Sequence, residues 1–138
     1  MSEENVEIVR EAIETFRSGM ERGDPGVAFD LESASDEFEL ITDPFEGRTV
    51  WRGREGWVEF IRVWTEEFDD WSLQIERLID AGDGRVVSLM HQSGTGKRSG
   101  VPVVVHFGQI HELKDGRVVR LRVYTSHAEA LEAAGLSE

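Results

Sequence analysis

The sequence predicts an α+β fold with helices packed on an antiparallel sheet, and three observations carry that expectation. Apolar residues recur at three- and four-residue steps from Val6 to Met20 and again from Trp57 to Phe68, the spacing of a buried helix face. Four runs with the two-residue period of strands then follow one another from Trp71 to Thr125. Between the last two stands Lys114-Asp115-Gly116-Arg117, and Asp-Gly between alternating apolar runs is the strongest short-range signal of a tight hairpin. Helices gathered before strands, instead of alternating with them, give α+β architecture.

The elements follow in chain order. Ser2 caps a first helix whose residues Val6, Val9, Ala12, Ile13, Phe16 and Met20 line one face, and Gly23 is placed to end it. Asp24 and Pro25 restart a second helix as N-cap and first helical residue, with Val27, Ala28 and Leu31 as its short apolar stripe. Phe38 to Ile41 alternates as a brief strand, and the residues from Asp43 to Gly47 break it as a loop. A third helix runs from about Arg54 to Phe68, with Trp57, Ile61, Trp64 and Phe68 along one side. Strands follow at Trp71 to Ile79 and Arg85 to Gln92, joined by a turn from Ala81 to Gly84. Ser93 to Gly100 reads as a polar, flexible link into the hairpin from Val101 to Thr125. Ser126-His127-Ala128-Glu129 is a capping box that opens a last short helix before Gly135.

The hairpin turn sets an expected register. With Asp115 and Gly116 as the loop, Lys114 pairs with Arg117, and counting outward pairs Glu112 with Val119, Ile110 with Leu121, Gly108 with Val123 and His106 with Thr125. On this count Val104, Ile110, Leu121 and Val123 face the core, with His106 and Thr125 as polar residues set into it. Met90 and Gln92 share one parity on the preceding strand. A neutral imidazole titrates near pH 6.5, so His106 suits proton transfer if a cavity reaches it; a structural histidine bonded to Thr125 or a carbonyl is the competing reading. The other face, with Phe107, Gln109, His111, Arg120, Arg122 and Tyr124, is either a two-fold dimer contact or a solvated surface.

Composition narrows the function. A chain of 138 residues, 39% of them hydrophobic, supports one core, so residues 1–138 are expected to form a single domain. No apolar run approaches the roughly 20 residues of a membrane span, and the N-terminus is acidic, so a cytoplasmic protein without a membrane partner is expected. The absence of cysteine removes disulfides and thiolate chemistry. A net charge of −13 argues against nucleic acid. Gly96-Lys97 is followed by Arg98, and not by Ser or Thr, so the glycine-rich link is no phosphate loop. The histidines are His91, His106, His111 and His127. His106 and His111, five apart on one strand, point to opposite faces, and with no paired-histidine helix motif neither a metal nor another cofactor is expected.

Three stretches together, NVEIVREAIETFRSGMERGD, WRGREGWVEFIRVW and DGRVVRLRVYTSHAEALEAAGL, resemble the SnoaL-like families of the nuclear-transport-factor-2-like superfamily over nearly the whole chain. The resemblance implies a cone, a strongly bent antiparallel sheet wrapped around N-terminal helices in a cystatin-like α+β barrel, with a pocket at its open end. It also implies a homodimer packed through the outer sheet face. The superfamily holds polyketide cyclases, ketosteroid isomerases, scytalone dehydratase and epoxide hydrolases beside members without known activity. The acid/base Asp that SnoaL-type cyclases carry on the last long strand falls near Val123 here, a residue that cannot transfer a proton. The expectation is a pocket for a small apolar or cyclic organic ligand, walled by Trp51, Trp64, Met90, Gln92 and Thr125. Two functions are consistent with it: cofactor-free acid/base isomerisation, cyclisation or dehydration through His106, and non-catalytic ligand binding or dimeric interaction.

Overall fold

The computed structural model describes residues 2–24, 34–45 and 48–136. Its elements are α1 (Ser2–Glu21), β1 (Ala34–Phe45), β2 (Arg48–Arg52), α2 (Gly53–Thr65), β3 (Phe68–Gly82), β4 (Arg85–Gly96), β5 (Pro102–Lys114), β6 (Arg117–Tyr124) and α3 (His127–Ala133). The helix expected from Asp24 to Leu31 lies outside the described residues. The architecture is the expected α+β cone. Among the described residues no helix is long and apolar enough to cross a membrane.

The strands form one sheet in the order β2-β1-β6-β5-β4-β3. It is mixed, where an antiparallel sheet was expected, because β1 runs parallel to β6, Leu40 beside Leu121. Parallel neighbours need a long crossover, and here the chain from β2 to β5 supplies it. Two stretches expected as loops are strand. Asp43 to Phe45 continue β1, which pairs with β2 through Leu40 opposite Trp51. Ser93 to Gly96 extend β4, held from one side by β3 and from the other by Val103 and Val104 of β5. Hydrogen bonding from two neighbours overrides the weak strand preference of Ser and Gly there.

The turns that join β3 to β4 and β5 to β6 are alike. Asp83 and Gly84 have φ of 54° and 74°, and Asp115 and Gly116 have 53° and 77°. Positive φ at both central residues defines the type I′ turn, whose twist matches that of paired strands.

The register of the last hairpin departs from a straight count. Lys114 faces Arg117 and Leu113 faces Val118, but Glu112 then faces Arg120, leaving Val119 as the extra residue of a β-bulge. Beyond it every pair moves by one: His111 faces Leu121, Gln109 faces Val123 and Gly108 faces Tyr124. A one-residue slip exchanges faces. Phe107, Gln109 and His111 therefore turn inward with Leu121 and Val123, while His106 turns outward and keeps 59% of its side chain exposed. This corrects the expected placement of His106 and of the whole Phe107-Gln109-His111 face. Charge favours the bulge, because it sets Glu112 against Arg120, 3.4 Å apart, with Arg122 3.6 Å away.

The two faces are covered by different helices. On the inner face, Val9, Ile13 and Phe16 of α1 and Phe60 and Ile61 of α2 join Leu73, Met90, Phe107 and Leu121 in the main core. On the outer face, Ala130, Leu131 and Ala134 close over Val87, Leu89 and Ile110. Burial of Leu131 alone contributes about 1.5–3 kcal/mol. The fit is close at Gly108, where an added Cβ would stand 2.5 Å from that of Ala130. Ser126 caps α3 as expected, accepting from the Glu129 N–H at 3.1 Å. Its last turn closes with the Leu136 N–H on the Leu131 carbonyl at 2.8 Å.

Candidate functional site

The inner face encloses a cavity of about 90 Å³. A site of about 10–15 Å³ on that scale holds one water, so this volume is room for several. Among the described residues its wall draws on α1, α2 and five strands. Phe16 comes from α1, Trp57, Phe60 and Trp64 from α2, Trp71 from β3, Met90 from β4 and Val123 from β6. The helical stripe that includes Trp57 and Trp64 thus serves as core and as cavity wall together. Rings meet edge to face, Phe16 with Trp57 at 5.5 Å and with Trp71 at 5.7 Å, an arrangement that aromatic quadrupoles favour.

Two polar side chains of β5, Gln109 and His111, reach this wall. No Asp, Glu, Lys, Arg or Tyr is among the described residues that line it. His111 is 5% exposed, and its Nε2 lies 3.0 Å from the Oγ of Ser88 on β4. Burial pushes its pKa down to about 3, because the charged imidazolium loses its hydration inside the cone. The ring is therefore neutral at pH 7, able to donate from one nitrogen and accept at the other.

Behind the wall, Gln92 is buried and its Oε1 accepts from two indoles, Trp71 Nε1 at 2.8 Å and Trp64 Nε1. This one amide oxygen ties α2 to β3 across β4. Gln92 is thus a positioning residue for two aromatic walls.

The residues singled out from sequence divide accordingly. Trp64 and Met90 line the cavity. Gln92 stands directly behind it. Trp51 is 1% exposed and packs on Phe60 with ring centres 5.4 Å apart, one layer away from the cavity. Thr125 is exposed and donates to Glu129 Oε2 at 2.9 Å. His106 stands across the sheet, where its Nδ1 donates to Glu76 Oε2 at 3.1 Å. That carboxyl is held below its usual pKa, chiefly by the hydrogen bond from His91. Sequence reasoning missed His111, Gln109 and Trp71. For His111 and Gln109 the signal was Glu112, whose charge fits Arg120 better than Val119.

With one histidine and no carboxylate, the described cavity wall offers no metal-ligand set. What it offers is an apolar enclosure with hydrogen-bonding groups on one side.

The sequence profile of the SnoaL-like domain matches residues 9–121. No curated protein matches the sequence. Several solved structures share the fold. An NTF2-like protein from Anabaena variabilis ATCC 29413 is 19% identical with a TM-score of 0.72, over 89% of this chain and 90% of that one. A protein of ketosteroid isomerase-like fold from Catenulispora acidiphila DSM 44928, in complex with trimethylamine, is 13% identical with a TM-score of 0.68, over 92% and 94%. TerC, co-crystallised with polyporic acid, is 17% identical with a TM-score of 0.68, over 91% and 96%.

Proposed function

The chain belongs to the SnoaL-like domain family, and from that premise we propose that its cavity binds a small, uncharged, largely apolar cyclic molecule held by a hydrogen bond to His111 or Gln109. The observation that carries this reading is the wall itself, aromatic and aliphatic except for those two side chains. A charged ligand would lose hydration there without a counter-ion, at a cost of several kcal/mol. A neutral ring with one carbonyl or hydroxyl meets the wall on both counts. Organic molecules bound to TerC and to the Catenulispora protein support small-ligand binding in this fold. The test is titration of tryptophan fluorescence with cyclic ketones and lactones, because Trp57, Trp64 and Trp71 all face the cavity. Saturable quenching that is weakened in Val123→Phe, which fills the cavity, is the expected result. Equal response in both proteins would place the ligand elsewhere.

The contact between Ser88 and His111 favours a second reading, cofactor-free acid/base turnover of the same ligand. Ser88 orients the ring, and His111 takes the part first assigned to His106. An imidazole whose pKa is near 3 is a weak base, so this chemistry requires a ligand that stabilises the imidazolium as it forms. Loss of turnover in His111→Gln with ligand affinity retained would establish it.

A further inference from the structure

The outer face of the sheet gathers three of the four histidines around one carboxylate. Glu76 Oε2 lies 3.1 Å from His91 Nδ1, 3.1 Å from His106 Nδ1 and 3.7 Å from His127 Nε2. Strand parity separates His106 from His111, but pairing across strands brings His106 beside another histidine. His91 of β4 stands directly opposite His106 of β5, so their rings share a face with centres 5.5 Å apart.

Glu76 joins them through a bulge in β3. Ile75 faces Met90 and Arg77 faces Leu89, so Glu76 is the extra residue between them. Bulges commonly re-aim a side chain in this way. The donor atoms of Glu76, His91 and His106 all lie within 4.8 Å of one another.

We propose that Glu76, His91 and His106 form a binding site for a divalent first-row transition metal, with Zn²⁺ as its representative. The chemistry suits the donors, since imidazole nitrogen and carboxylate oxygen both bind Zn²⁺ at about 2.0–2.2 Å. Two such bonds at a tetrahedral angle set their ligand atoms about 3.3–3.4 Å apart, close to the 3.1 Å that separates the Glu76 oxygen from each imidazole nitrogen. Both Nδ1 atoms now donate to the carboxylate. Binding moves each ring proton to Nε2 and leaves Nδ1 free to coordinate, with no net change in charge on a neutral ring. His127 Nε2 donates instead to the Met90 carbonyl at 2.8 Å, so the three-ligand set leaves further metal positions open to water. In the single chain 39% of the Glu76 side chain and 29% of the His91 side chain are exposed. A bound ion joins β3, β4 and β5 from outside the cone. The site is independent of the inner cavity.

The experiment is calorimetric titration of the metal-stripped full chain with Zn²⁺, followed in parallel by NMR of the histidine rings. The expected result is one equivalent bound, movement of the His91 and His106 signals with His111 unmoved, and a rise in melting temperature. Glu76→Gln and His106→Ala should each bind at least about tenfold more weakly, because even outer partners of a metal site cost that much. Both substitutions are at exposed side chains, and circular dichroism checks that the fold persists. No binding by the unmodified chain would overturn the proposal. So would binding that leaves the His91 and His106 rings unmoved, or affinity unchanged in both variants.

Discussion

Nε2 of His111 lies 3.0 Å from Oγ of Ser88, and both side chains are buried on the inner face of the sheet. The contact satisfies one ring nitrogen and holds the imidazole against the cavity without a charged partner.

The depressed pKa of that ring gives stability a defined dependence on pH. A histidine that titrates near 6.5 when unfolded and about 3 when folded binds its proton preferentially in the unfolded chain. Its burial is therefore tolerated fully above pH 6.5, and stability falls as the pH drops from there toward 3. The limiting slope is about 1.4 kcal/mol per pH unit for one proton. Unfolding in urea at several pH values should show a flatter dependence over this window in His111→Gln. Identical slopes in the two proteins would mean that His111 is hydrated in the folded state.

Gln92→Leu removes the acceptor that the Trp64 and Trp71 indoles share. A fully buried donor left unpaired costs about 1–3 kcal/mol, and these part-buried indoles cost less, so the melting temperature should drop by a few degrees. Tryptophan emission should also shift, as both indoles lose a fixed partner. Gln92→Glu offers a carboxylate oxygen to the same donors and should be destabilised most near neutrality, where burial of its charge is unfavourable.

Gly108→Val drives a branched side chain into Ala130, where even a Cβ lacks room. Overpacking of this kind costs about 1–3 kcal/mol, and here it should be relieved by lifting α3 from the sheet. Hydrogen exchange should quicken in α3 while the amides of α1 and α2 stay protected. Uniform acceleration along the chain would show that α3 does not unfold separately from the cone.

The fold was legible where local chemistry decides it. The apolar spacing in α1, the Asp115-Gly116 turn and the Ser126 cap each carry their own signal, and the structure has all three. The site was less legible because its side chains are assigned to faces by register, and one bulge at Val119 reverses them. Alternation alone could not reveal it, since Val119, Leu121 and Val123 already alternate without a bulge. The pairing of Glu112 with Arg120 and Arg122 decides the matter, and that is a preference between strands which a single-strand pattern does not contain. The inward placement of Trp64, Met90 and Gln92 does not depend on the bulge, because their helix and strand parities are set elsewhere. The parallel contact of β1 with β6 links residues far apart in sequence and has no local signature at all.

The most direct test of an inner cavity that binds small apolar rings is an NMR titration of the His111 imidazole with a series of cyclic ketones and lactones. The account predicts that at least one compound moves the His111 ring signals saturably, together with the indole signals of Trp64 and Trp71, while the His106 ring across the sheet stays unmoved. Movement of His106 alone, or no movement of His111 and the two indoles with any compound, would contradict it.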